Sequence, residues 1–583
     1  MLLAATPSGC LRSKRPSAAS GPCAPRSSGG SADRIRDSHA GVLASPAIAP
    51  ARPPSGGSGG ESDFDQTRRT GGAASDELAR RPAAPDATGA APALDLLATT
   101  AAGPAAVRGG ALRVGGYLAG ALVSAVSAAL LFRHLGVQDT GRYVTAMSLV
   151  AIVGALSDLG LTAIGVREIA TRPAEERWPL ARDLLGLRIT LTVIGASAMT
   201  AIAWAAYSST LAAGVALAGV GLLLQASQDN FALPLVVGLR LGWVSALDLA
   251  RQLLTTVSTV LLVLLGARLL PFLGISIPVG LLVLLATVPL VRGTRSLIPT
   301  FSLRRWRTFT RAMLPYAAAV AASALYFRMS ILLVSALSSA TQLGYFSASF
   351  RIIEVLTLVP GLLASSAFPI FARAARDDHE RLGYALGRVY EVSVIVGAWV
   401  AVSIAVGAPL AIKIIGGADF RAAVPVLAIQ GVGLGAMFVS VVWGNGLLSL
   451  GLYRQILVIS VSALVLNGAL VAALIPLDGS RGAAIGTAVA EIVAAIVQAF
   501  AVARGRPQLR PSVRILPRVA IAAAVALIPL ALTGIGVPTI VLLVLSTVLF
   551  VIVLLGVRAF PRELLDLAPR LARLGHDRAG RQS

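Results

Sequence analysis

The sequence predicts an all-α integral membrane protein of about 14 transmembrane helices: two pseudo-symmetric six-helix lobes around a central cavity, plus a C-terminal two-helix appendix. Three observations predict it. Of 583 residues, 56% are hydrophobic and 13% charged, with mean hydropathy +0.78, far too apolar for a soluble chain of this length. From Ala111 onward, apolar runs of about 20 residues recur, each long enough to cross roughly 30 Å of hydrocarbon as a helix. The basic residues gather on alternate connections, as the Lys/Arg excess of cytoplasmic loops requires.

Residues 1–108 are rich in Ala, Pro, Gly, Ser and Arg, with runs such as "ARPPSGGSGGESDFD", and cannot bury enough apolar surface to fold. They read as a disordered cytoplasmic tail or an over-extended gene start, the next methionine being Met147. Six spans follow, near 111–132, 143–164, 183–206, 212–237, 244–266 and 269–291, and these define an N-lobe over 109–311. Six more lie near 312–337, 344–370, 389–410, 422–448, 455–475 and 482–502, giving a C-lobe over 312–505. Residues 506–557 hold helices thirteen and fourteen, near 519–533 and 537–557. The tail 558–583 spaces Leu564, Leu567, Leu571 and Leu574 helically among arginines, which suits the inner membrane surface and its anionic lipids, or a plain solvated helix.

Loop charge tests this map independently. With the N-terminus inside, the inner connections hold four arginines over 167–182, six over 292–311, five over 504–518 and six after Val557. The outer connections hold only Arg133, Arg142, Arg268, Lys413, Arg421 and Arg481. The expected location is the cell membrane, multi-pass, with both termini cytoplasmic.

Composition also excludes classes. A net charge of +22 could signal nucleic acid, but the basic residues are scattered between apolar runs rather than gathered on one soluble face. Cys10 and Cys23 both lie in the N-terminal tail, and His39, His134, His379 and His576 are far apart, so neither a disulfide framework nor metal-ligand spacing is present. No cofactor is expected. A P-loop needs Gly-Lys-Ser/Thr, whereas Lys14 precedes Arg15 and Lys413 precedes Ile414. The outer connections are too short for a glycosyltransferase or polymerase loop with paired carboxylates, and a solvated loop explains the one acidic inner cluster, "RDDHER" at 376–381. A transporter, not an enzyme, is expected.

A weak repeat supports two lobes. "LFRHLGVQDTGRYVTAMSLVAIVGALSDLGLTAIGVREIA" (131–170) and "LVSALSSATQLGYFSASFRIIEVLTLVPGLLASSAFPIFAR" (333–373) each run span, short outer turn, span. Gly141 aligns with Gly344 and Tyr143 with Phe346, a layout common in transporters. The same residues resemble the polysaccharide flippase family, the O-antigen or oligosaccharide-lipid flippases of the multidrug/oligosaccharidyl-lipid/polysaccharide exporter superfamily. The first stretch is similar to that family's entry motif at Leu135, Gly136, Gly141, Tyr143, Ser157, Asp158, Leu159, Gly160, Arg167 and Glu168. The second is similar to its mid-chain run at Tyr326, Phe327, Arg328, Gly344, Tyr345, Arg351, Glu354, Pro360 and Pro369. The resemblance covers about residues 111–505. Ser330 departs from it, standing where the family often has an aspartate two residues after the span-seven arginine, so no ion-coupling acid carries over there.

The resemblance implies a carrier that moves an undecaprenyl-pyrophosphate-linked oligosaccharide from the inner to the outer leaflet for cell-surface polysaccharide synthesis. The implied partners are that lipid-linked substrate, membrane lipids, a coupling ion and, as candidate associates, a polysaccharide polymerase or glycosyltransferases. A flippase for lipid II, the peptidoglycan precursor, and an ion-coupled multidrug exporter of the same superfamily are the alternatives. The exporter would more readily expose acids than arginines in its N-lobe, and span one contains no acid.

Charges within spans are costly and mark function. Arg328, about the middle of span seven, costs roughly 2.5–3.5 kcal/mol on insertion scales. Its expected partner is Glu491, Asp229 or a substrate anion, since a guanidinium matches phosphate oxygens bidentately. Arg351 and Glu354 lie at i, i+3 on one face of span eight. Gln225, Gln228 and Asp229 make a polar stripe on span four, and Glu491 lies mid-span in the twelfth. These seven, Arg328, Arg351, Glu354, Asp229, Gln225, Gln228 and Glu491, are the candidate cavity residues. Asp158, Asp248, Arg251 and Glu391, near cytoplasmic span ends, are expected to snorkel. Pro234, Pro278, Pro360, Pro369 and Pro425 supply bends. A potential that is negative inside favours an anion moving outward by roughly 2.3 kcal/mol per charge per 100 mV. An empty cationic cavity would be drawn back.

Overall fold

The structure is a computed structural model that describes residues 102–559, apart from 159–160, 162–164, 167–168, 170–173, 239, 292–297 and 505–506. The tail expected over 1–108 lies almost wholly outside the described residues, as do Arg167, Glu168 and the C-terminal tail from 560. The described elements are helical throughout, and twelve are long and apolar enough to cross a membrane. Fourteen spans were expected. The difference falls at two places, where one kinked helix covers two expected spans.

The N-terminal half contains α1 (Ala102–Asp158), α2 (Ala174–Ala206), α3 (Ser209–Phe231), α4 (Leu233–Val237), α5 (Leu241–Leu264), α6 (Leu269–Gly274) and α7 (Ser276–Leu290). The C-terminal half contains α8 (Leu303–Leu337), α9 (Ala340–Leu356), α10 (Leu358–Asp377), α11 (His379–Ile415), α12 (Val424–Ser449) and α13 (Tyr453–Arg504). α14 (Ile515–Ala526) and α15 (Thr539–Gly556) pack on each other and on α11.

Local chemistry explains the breaks. Gly136 leaves the helical region inside α1 at φ 71°, a backbone conformation that suits a residue without Cβ. In α13, Asp478 and Gly479 are non-helical just after Pro476. α9 starts where the Ser339 hydroxyl accepts from Gln342 N, and α11 where the Asp378 carboxylate accepts from Arg381 N at 2.9 Å. Pro234 and Pro425 sit at the first positions of α4 and α12, and Pro360 lies in the first turn of α10. These prolines begin helices, the place where a missing N–H costs least, rather than bending them midway. Of the expected five, Pro369 alone lies in a helix interior.

The halves meet at the end that loop charge assigns to the outside. There the largest apolar cluster joins Leu131, Phe132 and Val144 to Ile331, Val334, Leu343 and Phe346, and on to Ile412, Phe420 and Val426. The repeat-related turns face each other. A Cβ on Gly141 would lie 2.9 Å from Leu343 Cγ and 3.0 Å from Gly344 N, and one on Gly344 would overlap the Val137 carbonyl oxygen. Arg133 Nη2 donates to the Lys413 carbonyl at 2.9 Å, and the Tyr207 and Ser335 hydroxyls bond at 2.9 Å.

The connection between the halves is docked on α2. The Asp183 side chain is 3% exposed; it accepts from Thr300 Oγ1 at 2.5 Å and pairs with Arg305 at 2.7 Å, while Trp306 Nε1 donates to its carbonyl at 3.1 Å. Trp306 itself is buried in the N-terminal half, among Leu180, Leu184 and Leu233.

Gly344→Ala puts a methyl group against a backbone carbonyl that has no freedom to withdraw, and should cost the closed contact about 1–3 kcal/mol. Spin labels at Gln138 and Gln342 should report a longer distance in this variant than in the parent; an unchanged distribution would rule out the turn pair as the closing contact. Asp183→Ala should free the 298–306 connection, read as faster proteolytic cleavage there with the helices intact.

Candidate functional site

The intramembrane charges separate into a cluster between the halves, a network inside the N-terminal half and an acid inside the C-terminal half. The first gathers on Glu354. Its Oε1 accepts from Arg328 Nη2, reaching across from α8, and its Oε2 from Arg351 Nη1 at 2.6 Å, one helical turn back on α9. One carboxylate thus holds two guanidiniums, one on each oxygen. Arg351 Nη2 also donates to Ser124 Oγ of α1, in the other half of the molecule. Arg328 Cζ lies 5.6 Å from the Phe327 ring centroid and 5.4 Å from that of Phe350, and the two rings are 5.0 Å apart. Such contacts are worth about 2 kcal/mol when desolvated.

A cavity of about 440 Å³ opens onto this cluster, lined by Gly120, Ala121 and Ser124 of α1, Asp248, Arg251 and Gln252 of α5, Arg351, Glu354 and Val355 of α9, and Leu358 of α10. It lies between the halves and carries charged groups from both.

Inside the N-terminal half, Arg188 pairs with Asp158 at 2.9 Å and with Asp229 at 3.3 Å. Arg251 reaches Asp229 at 3.4 Å, Asp248 at 3.9 Å and the Gln228 amide oxygen. Asp229 is therefore shared between arginines on α2 and α5. A second cavity, about 380 Å³, is lined by Arg188, Thr192, Gln225, Asp229 and the Gly154–Ser157 stretch of α1.

Glu491 is elsewhere. Its Oε1 accepts from the Tyr326 hydroxyl at 2.7 Å, beside a Ser330–Thr487 hydroxyl pair at 2.9 Å, in a cavity of about 60 Å³ that also holds Gln430. The Phe327 and Phe350 rings that carry Arg328 line this cavity as well.

Several expectations change. Arg328 pairs with Glu354, not with Glu491 or Asp229. The seven candidate residues do not share one chamber: Arg328, Arg351 and Glu354 cluster between the halves, Gln225, Gln228 and Asp229 belong to the N-terminal network, and Glu491 to the C-terminal cavity. Asp158 and Arg251 do not simply snorkel, because Arg188 of α2 and Asp229 of α3 come within bonding distance of them, whereas Asp248 stays largely exposed and meets Arg251 of its own helix at 3.9 Å. Glu391 does pair locally, with Arg388 at 2.9 Å. Sequence reasoning also missed Ser124, a hydroxyl with no distinguishing spacing, and Tyr326 as the partner of Glu491. Among the described residues, Arg188, Arg251, Arg328 and Arg351 are matched by Asp158, Asp229, Asp248 and Glu354, so the two networks together are neutral rather than cationic.

An all-helical membrane bundle whose halves meet across a charged cavity has the design of a membrane carrier. Solved structures share it. A lipid II flippase, MurJ, in an inward closed conformation matches with TM-score 0.62 and 14% identity, over 76% of this chain and 97% of that one. An inward-facing multidrug resistance MATE family transporter of the MOP superfamily matches with TM-score 0.51 and 16% identity, over 66% and 94%. At these identities the likeness concerns the fold alone. No curated protein matches the sequence. Residues 130–425, just over half of the chain, match the family described as Polysaccharide biosynthesis protein, and the chain belongs to that family.

Asp229→Asn should destabilise the protein by about 1–3 kcal/mol, because arginines on two different helices lose part of a shared acceptor. Glu391→Gln, which breaks only a half-exposed local pair, should cost about 0–1 kcal/mol. Thermal unfolding of the two purified variants in detergent gives the comparison, and equal losses would remove the case for a shared N-terminal network.

Proposed function

We propose that this carrier translocates an anionic polyprenyl-pyrophosphate-linked oligosaccharide from the inner to the outer leaflet of the cell membrane, by alternating access, for cell-surface polysaccharide synthesis. The observation that carries this reading is the convergence of Arg328 and Arg351 on one carboxylate at a cavity between the halves. Guanidiniums bind phosphate oxygens through parallel N–H donors, and such contacts strengthen where water is scarce. A diphosphate needs that chemistry at the membrane midplane, while its polyprenyl tail remains in lipid. Membership of a polysaccharide biosynthesis family supports a glycan-bearing cargo. The fold likeness to a lipid II flippase keeps the peptidoglycan precursor, another polyprenyl diphosphate, as the second reading.

Deleting the gene and identifying the lipid-linked intermediate that accumulates in the inner leaflet separates the two cargoes. Transport separates cargo contact from architecture. Arg328→Ala should reduce flipping by about 10- to 100-fold at normal expression, the value of one or two charge-assisted hydrogen bonds, and Arg328→Lys should restore part of it, since a lysine keeps the charge but loses the fork. Wild-type flipping in both would leave Arg328 a structural residue. In vesicles, an imposed inside-negative potential should accelerate outward flipping of the anion; indifference to potential would count against an anionic cargo.

A further inference from the structure

Arg328 and Arg351 have supports that do not depend on Glu354. The Phe327 and Phe350 rings lie against the Arg328 guanidinium, and the Ser124 hydroxyl holds Arg351. Removing the Glu354 carboxylate would leave two guanidiniums still aimed at one point, with a space between them shaped for an anion with at least two oxygens. A phosphate group fits that description as well as a carboxylate does.

Glu354 is also placed to leave. It lines the cavity of about 440 Å³ between the halves together with Arg351, and its side chain is 22% exposed, so an anion in that cavity meets Arg351 directly and Arg328 at the place the carboxylate vacates. It occupies the last turn of α9, where the Thr357 hydroxyl donates to its carbonyl at 2.7 Å and the chain breaks before α10 begins at Leu358. Its other neighbours in the cavity include Asp248 and Arg251 of α5.

We propose that Glu354 is a built-in competing anion: its carboxylate occupies Arg328 and Arg351 while the carrier is empty, gives way to the diphosphate of the cargo, and returns to displace that cargo on release. This rests on the reading of the carrier as a polyprenyl-diphosphate flippase and specifies how that site is regulated. The carboxylate has three consequences. It keeps two guanidiniums compensated in the empty protein, whose uncompensated burial would be costly. It lowers affinity for the diphosphate, because each binding event must break two charge-assisted bonds. For the same reason it speeds release, since Glu354 re-pairs with both arginines as the cargo departs. Weakened binding of a ground state that lets turnover proceed is the expected effect of such a competitor.

The test uses the full-length protein in lipid nanodiscs and a fluorescent short-chain polyprenyl diphosphate as probe. Glu354→Gln removes the competing charge and should bind the probe about tenfold tighter or more, the value of one charge-assisted hydrogen bond, while flipping it more slowly in vesicles. Glu354→Asp keeps the charge on a shorter arm that cannot reach both arginines, and its affinity should fall between the two. Where Glu354→Gln folds poorly, the aspartate variant carries the test in the same direction. The probe should also raise the melting temperature of either variant by more than it raises that of the parent. A purely structural Glu354 predicts the opposite: affinity falling together with stability. If the parent binds the probe and Arg328→Ala abolishes that binding, but affinity in the Glu354 variants is equal to the parent's or weaker, the competitor is disproved and the diphosphate reading survives. If neither the parent nor any variant binds the probe, the diphosphate reading fails and takes the competitor with it.

Discussion

A guanidinium inside a membrane is tolerable only if something carries its charge, and the sharing of Glu354 by Arg328 and Arg351 is how this fold meets that requirement. The pairing dictates geometry. Arg351 and Glu354 are neighbours on one helix, but Arg328 must arrive from α8, so α8 and α9 pack with those faces together and the Phe327 and Phe350 rings between them. Ser124 then ties the cluster to α1 in the opposite half. Four groups from three helices fix the point at which the two halves communicate.

The closing end obeys a different rule. There the halves touch through backbone and apolar side chains, and contact depends on what is missing: at Gly141 and Gly344 the absence of a Cβ lets the repeat-related turns approach to backbone distance. Apolar contact of this kind is non-directional, and the Arg133–Lys413 carbonyl and Tyr207–Ser335 hydrogen bonds add direction beside it. Charges hold the middle, where directional bonds are needed to read a cargo. The division of labour is consistent along the molecular axis: glycine-permitted packing at one end, paired charges at the cavity, and a docked connection at Asp183.

Much of this was legible in the sequence, and the failures share a cause. Span length, loop charge and the Gly-aromatic repeat depend on composition and local order, so the helical bundle and the correspondence of Gly141 with Gly344 could be read directly, while their contact is set by packing. Arg351–Glu354 could be read as well, because i, i+3 spacing is a property of one helix; Glu391, expected to snorkel, pairs with Arg388 at the same spacing. The partner of Arg328 was not, since Glu354, Glu491 and Asp229 are all mid-span acids and only the packing of α8 on α9 chooses among them. Arg251 was misread for a related reason. Depth along a span says that a long side chain can reach the interface, but not that Gln228 and Asp229 on α3 will intercept it first. The breaks at Gly136 and at Asp478–Gly479 fall where turns between helices were expected: the backbone leaves helical geometry there for one or two residues, so each long element is two helices meeting at a kink.

The charge balance bears on how a cycle could be driven. The sequence suggested a cationic cavity that a negative interior would draw back once empty. The paired groups among the described residues give a different account: Arg188 and Arg251 face Asp158, Asp229 and Asp248, leaving the N-terminal network one charge negative, and Arg328 and Arg351 face Glu354, leaving the central cluster one charge positive. The proposed diphosphate would add negative charge to the cavity, and the membrane potential would act on it by roughly 2.3 kcal/mol per charge per 100 mV. With that cargo the field would act on the loaded step, and packing at the glycine contact and Glu354 closing over its two arginines would favour return of the empty carrier. Opposite net charges on the two networks also attract across the cavity when it is empty, and an anion entering between them would weaken that attraction, so cargo chemistry itself favours a change in how the halves sit.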